Sequence, residues 1–312
     1  MKTNYAGIAN EYAKKETAKI VLIPVTYNGT TTWQTQVDQG PDAFLEASEY
    51  MELYDIETDS EAYKNGVYIS EKITESSSPQ AVVDQVYDRI KSYLNTNKFV
   101  TVVAGERSTS IGTIKAFNDH FENLTVLQFD AHAHLNKSVN GEKVNNACAM
   151  YHASQATNLV QVGIRSMAHI EKTVIDDDKV FYANDLATDD YWMENALEIM
   201  SDNVFISFDL DSLDPSIMPS VANPEQGGLF WFETLEFLYK VFNEKNVVGF
   251  DLVGLCPNPY NKAPNALAAR LYYKMLSYKF EMEGEDDELG ISESDFASKE
   301  NKFGKFHDDL DA

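Results

Sequence analysis

Short apolar runs alternate with amphipathic stretches along most of this chain. Runs rich in β-branched residues, typical of strands buried on both faces, occur at 19–25, 98–103, 124–129, 159–162, 179–182, 203–208 and 246–250. Amphipathic stretches that predict helices occur at 41–54, 79–94, 110–121, 191–200, 231–243 and 264–278. This alternation predicts one α/β domain built on a mostly parallel sheet.

The distribution of charge separates a body from an acidic C-terminal tail. The chain has 312 residues and a net charge of −25, and twelve of its acidic residues lie beyond residue 280. Because no repeat or long linker interrupts the earlier sequence, we predict a single domain over residues 1–280 and a solvated acidic tail over residues 281–312. A charge of this sign repels nucleic-acid phosphates and anionic membrane surfaces, so neither is an expected partner.

The cysteine content and the lengths of the apolar runs bear on the cellular compartment of the protein. Cys148 and Cys256 are too few for a disulfide framework, and residues 1–16 lack the apolar segment of a secretion signal. No apolar run approaches the roughly 20 residues that a membrane-spanning helix needs. These features predict a cytoplasmic protein.

Candidate metal ligands follow two of the predicted strands directly. Asp130, His132 and His134 come after the run at 124–129, and their spacing of two places them on one face of an extended backbone. Asp209 and Asp211 follow the run at 203–208 with the same spacing. Ligands gather at the carboxyl ends of parallel strands, so the two groups are expected to meet. Carboxylates and imidazoles without thiolates suit Mn²⁺, with Fe²⁺, Ni²⁺ or Zn²⁺ as competitors.

With these motifs the sequence resembles the ureohydrolase family of arginases and agmatinases, in its agmatinase-like branch. The matching segments include Asp130-Ala-His132, Ser207-Phe-Asp209-Leu-Asp211-Ser-Leu-Asp214-Pro215, Val162-Gly-Ile-Arg165, Pro224-Glu-Gln-Gly-Gly-Leu229 and Gly249-Phe-Asp251. The resemblance implies a three-layer α/β/α sandwich and assembly as a homo-oligomer. It also implies a binuclear Mn²⁺ site whose bridging hydroxide attacks a guanidinium carbon and releases urea.

Two positions depart from the metal ligands that the resemblance implies. A histidine ligand of the family is replaced by Arg107, which cannot bind a metal, and a carboxylate ligand is replaced by His134. The metal position built from residues 107, 130, 134 and 209 is therefore damaged. The other position, built from Asp130, His132, Asp209 and Asp211, keeps every ligand. We expect one Mn²⁺ ion rather than two, with a metal-free protein as the alternative, and Arg107 as a charge substitute for the missing ion.

Two further departures concern the catalytic and substrate-binding groups. Asn146 stands where the family has a proton-relaying histidine, and Gly254 stands where it has the glutamate that holds the guanidinium. Asparagine does not titrate, and glycine has no side chain. His134 is the candidate general base, although the catalytic set is otherwise unknown. His152, on a predicted helix, is an alternative proton relay, but an ordinary helix histidine is the simpler interpretation.

Three functional hypotheses follow from these substitutions. The first is a pseudoenzyme with lost or strongly reduced guanidine hydrolysis, acting in regulation or structure, alone or as a hetero-oligomer with an intact paralogue. The second is an active hydrolase of a linear C–N bond that releases urea with a mononuclear or altered metal site. The third is a sensor of small cationic molecules, for which the missing carboxylate at Gly254 is unfavourable.

Overall fold

A single sheet of eight parallel strands organises the molecule. The computed structural model describes residues 4–30, 33 and 36–288. Its strands are β1 (Ile20–Val25), β2 (Val67–Ile69), β3 (Phe99–Ala104), β4 (Thr125–Phe129), β5 (Asn158–Ile164), β6 (Val180–Tyr182), β7 (Asn203–Asp209) and β8 (Asn246–Val253). They are ordered β2-β1-β3-β8-β7-β4-β5-β6 across the sheet, and every paired strand is parallel to its neighbour.

Helices cover both faces of this sheet. They are α1 (Gly40–Ser48), α2 (Pro79–Leu94), α3 (Ser110–Asn118), α4 (Ala149–Ala156), α5 (Ala183–Leu186), α6 (Trp192–Glu198), α7 (Trp231–Glu244) and α8 (Ala263–Glu288). Alternate residues of β1 enter two separate apolar clusters: Ile20 and Leu22 pack with α1, α6, α7 and α8, while Val21 and Ile23 pack with α2, α3 and α4. The structure therefore confirms the three-layer α/β/α sandwich.

Most of the predicted elements are present, and the differences lie at their ends. Each of the seven predicted apolar runs forms a strand, whereas β2 was not predicted because three residues at a sheet edge leave little periodic signal. Helix α1 ends at Ser48, several residues before the predicted end at 54. Helix α8 continues through residue 280 to Glu288. The rest of the predicted tail lies outside the described residues, so the domain boundary stays a prediction.

The carboxyl ends of the four central strands form the edge that carries the candidate chemistry. β3, β8, β7 and β4 are neighbours and parallel, so the segments after them converge at one edge of the sheet. Among the described helices, none combines the length and the apolar composition that a membrane crossing requires.

Candidate metal centre

The predicted ligands meet at this edge of the sheet. Asp130, His132 and His134 offer ligand atoms that all lie within 4.8 Å of one another, and the same holds for Asp130, Asp209 and Asp211. Asp130 is completely buried, and the other two carboxylates are nearly so. The structure thus brings together all five residues predicted from the two motifs.

Hydrogen bonds within and between the two motifs order their backbones. Asp130 Oδ1 accepts the N–H of His132 at 2.8 Å, and Asp209 Oδ1 accepts the N–H of Asp211 at 3.1 Å. Asp211 Oδ1 reaches across to the N–H of Ala131 at 3.0 Å. The carboxylates therefore tie the ends of β4 and β7 together while leaving other oxygens directed into the site.

His134 reaches the site by a different backbone path from the predicted one. Its φ is +53°, in the left-handed region, so the extended spacing of two applies only to Asp130 and His132. The His134 carbonyl accepts the N–H groups of Met150 and Tyr151 at the start of α4, at 3.0 and 3.2 Å. The His134 imidazole still lies beside Asp130, with Nε2 at 3.5 Å from Oδ2.

Arg107 extends its guanidinium between two of the carboxylates. Its Nε lies 2.6 Å from Asp130 Oδ2 and 3.1 Å from Asp209 Oδ2, and its side chain is 1% exposed. Nη1 donates to Ser207 Oγ at 2.8 Å, and Nη2 donates to the carbonyl of Phe129 at 3.3 Å. A permanent positive charge is thus held where the resemblance expects the second metal ion.

Two further polar groups, not predicted as functional, extend this network into the strands. Ser207 Oγ donates to the buried Asp251 Oδ1 at 2.8 Å, which connects Arg107 to a third carboxylate. Gln128 Nε2 donates to Asp130 Oδ2 at 2.8 Å. Ser207 and Gln128 each precede a candidate ligand by two residues. Because residues two apart in a strand lie on the same face, the sequence could have identified both as neighbours of the ligands.

The charges of the site shift its pKa values in opposite directions. Burial opposes ionisation of Asp130, but Arg107 and the nearby histidines hold its pKa well below the usual range. Burial, with the neighbouring carboxylates, raises the pKa of Asp209 and Asp211. Burial disfavours the charged form of His132, yet hydrogen bonds to Asp130 and Asp211 outweigh it and raise its pKa to about 11.

His134 is a poor base in this environment. Burial is the main reason that its pKa is lowered to about 3, and Arg107 and His132 add to the effect. A general base works best with a pKa near the operating pH, which His134 does not have here. The neutral imidazole is, however, the form that binds a metal ion.

The donor atoms around His132 fit one divalent ion. His132 Nδ1 lies 2.9 Å from Asp211 Oδ2 and 3.6 Å from Asp130 Oδ1. Ligands around an octahedral ion with bonds of about 2.1 Å are separated by about 3 Å, so these atoms are spaced as ligands require. Asp209 adds a ligand atom within 4.8 Å of those of Asp130 and Asp211. On the opposite side, the guanidinium of Arg107 would repel a second cation.

Gly254 and Asn146 lie at the site where the resemblance places them. Gly254 has a φ of +89°, and a Cβ built there would lie 2.2 Å from Asp209 Oδ1. Asn146 begins a short 3-10 helix, and its N–H donates to Thr30 Oγ1 at 2.9 Å. Thr30 in turn is held by Glu106, a buried carboxylate that also accepts the N–H of Gly29 at 2.9 Å. Glu106 therefore anchors the segment that approaches Asn146.

The remaining space at the site is small. A cavity of about 20 Å³ is lined by Val37, Gly105, Glu106, Arg107, His134, Asn146, Asp209, Asp211, Ala222, Asn223 and Gly254. This volume holds about one water molecule. His152 does not line it: its Nε2 lies 3.2 Å from the carbonyl of Lys143, as expected for an ordinary helix histidine.

Comparison with known proteins agrees with this fold. The protein-family model described as the Arginase family matches residues 18–277. The chain is 32% identical over 272 residues to the N(1)-aminopropylagmatine ureohydrolase of Synechocystis sp., covering 84% of this chain and 89% of that protein. It is 30% identical to the N(1)-aminopropylagmatine ureohydrolase of Thermus thermophilus, covering 86% and 92%. The chain belongs to the arginase family, in its agmatinase-like branch.

Solved structures share the fold at lower identity. The agmatine ureohydrolase of Thermoplasma volcanium has a TM-score of 0.81 at 24% identity, covering 91% of this chain and 96% of that one. The formiminoglutamase of Trypanosoma cruzi with Mn²⁺ has a TM-score of 0.75 at 18% identity, covering 86% and 95%. These likenesses establish the arginase fold.

Proposed function

We propose that this chain is an arginase-family protein that binds one divalent metal ion, with Mn²⁺ favoured, and hydrolyses guanidines weakly or not at all. The observation that carries the proposal is the position of the Arg107 guanidinium, 2.6 Å from Asp130 and 3.1 Å from Asp209. A buried cation that satisfies both carboxylates competes directly with a second metal ion. The intact ligands Asp130, His132, Asp209 and Asp211 would hold the remaining one.

The substrate side of the site supports the same proposal. No carboxylate extends from Gly254, and Asn146 cannot carry a proton. Loss of a general acid or base lowers the rate about 10²- to 10⁴-fold. Loss of a charge-assisted hydrogen bond to the substrate weakens binding by about 1.5–3 kcal/mol. A regulatory or structural role then accounts for the preserved fold.

A second candidate is an active hydrolase with one metal ion. It is favoured by the two groups of possible metal ligands that share Asp130 and by relatives named N(1)-aminopropylagmatine ureohydrolase. The ion would supply Lewis acidity toward water and substrate. His134 lies beside Asp130, but a bound cation would lower the pKa of its imidazole further, so this candidate requires another group to accept the proton.

Metal content and urea release together separate the two candidates. Protein purified after growth with added Mn²⁺ is analysed for bound metal, and urea is measured with agmatine, N(1)-aminopropylagmatine and arginine. We expect about one ion per chain and no urea above the level of the Asp211→Ala variant. Enzymes typically turn over at about 1–10³ s⁻¹. Turnover of about 1 s⁻¹ or faster would establish the hydrolase instead, provided that Asp211→Ala abolishes it.

A reversal variant tests the role of the substitutions. Arg107→His, His134→Asp, Asn146→His and Gly254→Glu are combined in one chain, and each is also made singly. We expect a second bound ion and measurable urea release only in the combined variant, because the four losses act on one site. Equal activity of the parent chain and the combined variant would contradict the proposal.

A further inference from the structure

The two ring nitrogens of His132 face different sets of carboxylates. Nδ1 is directed toward Asp211 and Asp130 on the metal side, at 2.9 and 3.6 Å. Nε2, on the other side of the ring, lies 3.6 Å from Glu225 Oε1. The imidazole is therefore enclosed between the buried ligands and a carboxylate that stands outside the ligand set. Glu225 thus faces the ring nitrogen that is directed away from Asp211.

Arg165 fixes the backbone of Glu225 relative to that of Asp211. A single guanidinium nitrogen, Nη2, donates to the carbonyl of Asp211 at 2.7 Å and to the carbonyl of Glu225 at 2.8 Å. Nε of the same side chain donates again to the Glu225 carbonyl, at 3.3 Å. Arg165 follows β5, so this one side chain joins the segments after β5 and β7 to the segment that carries Glu225. The position of Glu225 beside His132 is thus built into the scaffold.

A histidine that binds a metal through one ring nitrogen usually donates its other N–H to a carboxylate or a carbonyl. That hydrogen bond selects the tautomer, orients the ring and makes the ligand nitrogen more basic. We propose that Glu225 is the positioning residue for His132: its carboxylate, 3.6 Å from Nε2 in this structure, would accept the Nε2 proton when the ring binds the ion through Nδ1. The inference rests on the single metal site proposed above.

Metal affinity measured on the full chain tests this role. Mn²⁺ binding to the parent chain, Glu225→Ala, Glu225→Gln and Glu236→Gln is compared by calorimetry. Glu236 is exposed on α7, and the Glu236→Gln variant removes one negative charge as Glu225→Gln does, so it controls for net charge. We expect Glu225→Ala to weaken Mn²⁺ binding about 10- to 100-fold, Glu225→Gln to be intermediate because its amide oxygen still accepts, and Glu236→Gln to match the parent.

Two additional readouts distinguish positioning from general stability. The thermal midpoint of Glu225→Ala in EDTA is expected to equal that of the parent chain. In Zn²⁺-loaded protein labelled with ¹⁵N-histidine, His132 is expected to show a slowly exchanging Nε2 proton that Glu225→Ala loses. Equal Mn²⁺ affinity of the parent and Glu225→Ala would overturn the inference and leave the metal site intact. Absence of Mn²⁺ binding by the parent chain would overturn both.

Discussion

At the scale of single residues, Arg107 is the substitution with the largest electrostatic consequence. Its guanidinium is buried against Asp130 and Asp209, and Ser207 connects it to Asp251. A buried ion pair is a weak source of net stability, but removing one partner leaves charge that water cannot reach. Under the proposed function, the same group would exclude a second metal ion and would be needed to balance the buried carboxylates.

Arg107→Met tests this necessity. We expect it to lower the free energy of unfolding by about 3–5 kcal/mol in EDTA, because Asp130 and Asp209 lose their counter-charge. Added Mn²⁺ should recover part of the loss, since a bound cation replaces the missing charge. Urea denaturation measures both. Lys64→Met, which removes an exposed pair with Glu61, is the control and should change stability by less than about 1 kcal/mol.

His132 makes metal binding dependent on pH. Its pKa in the metal-free fold is about 11, above the ordinary value of about 6.5. The charged imidazole thus stabilises the metal-free fold fully below pH 6.5, and this contribution is lost as pH rises toward 11. An ion must displace the proton, so we expect Mn²⁺ binding to strengthen by up to about tenfold per pH unit between pH 7 and 9.

Calorimetry in two buffers with different heats of ionisation measures the protons released when Mn²⁺ binds. The expected release is close to one proton for each ion at pH 7, because the imidazole of His132 must lose its proton to bind the ion. A dissociation constant that stays constant from pH 7 to 9 would contradict this account.

At the scale of elements, the ends of β7 and β8 are packed so closely that the Asp209 carboxylate lies against the Cα of Gly254. The Asp209 carboxylate occupies the volume that a side chain at residue 254 would need, and the same carboxylate binds Arg107. The absence of a side chain at residue 254 and the presence of Arg107 are therefore structurally linked through Asp209. Restoring one without the other would not restore the family site.

Gly254→Ala measures this coupling. We expect it to cost about 1–3 kcal/mol in the parent chain, from overpacking against Asp209 added to the strain of a positive φ. In the Arg107→Met background the cost should differ by more than about 0.5 kcal/mol, because residues that share a partner are not additive. Gly227→Ala isolates the strain, since its φ is +79° and nothing lies within 4 Å of the added Cβ. Equal costs of Gly254→Ala in the two backgrounds would contradict the coupling, and identical costs for the two glycines would contradict the overpacking.

At the scale of the whole molecule, α8 is attached to the N-terminal half of the chain by a buried lysine. Lys274 Nζ lies 2.9 Å from Asp55 and 2.5 Å from Glu57, and Tyr278 donates to Glu57 at 3.0 Å. The pairs connect residues more than 200 positions apart in the sequence. They therefore stabilise the closed body rather than any local element.

Lys274→Met should lower the free energy of unfolding by about 3–5 kcal/mol, because Asp55 would stay buried without its partner. The metal centre is on separate elements, so Mn²⁺ affinity should not change. Thermal denaturation and calorimetry test the two expectations. Arg270→Met removes an exposed hydrogen bond from the same helix to the Glu52 carbonyl, and we expect it to cost less than about 1 kcal/mol.

The sequence alone determined the class of fold and the identity of the candidate ligands. Strands buried on both faces must be apolar throughout, so their runs are visible without any tertiary information. Residues that follow such strands must meet at one edge of a parallel sheet, which is why Asp130, His132, Asp209 and Asp211 could be named in advance. Short elements such as β2 gave no comparable signal.

Only the tertiary structure decided what those residues contact. Arg107 and Asp209 are 102 positions apart in the sequence. No local pattern predicts that the guanidinium pairs with the buried carboxylates rather than pointing to solvent. Local patterns likewise do not predict that Glu225 lies beside His132, or how large the cavity at the site is. Local periodicity follows from backbone geometry, whereas pairing of charges and filling of space depend on which segments the fold brings together.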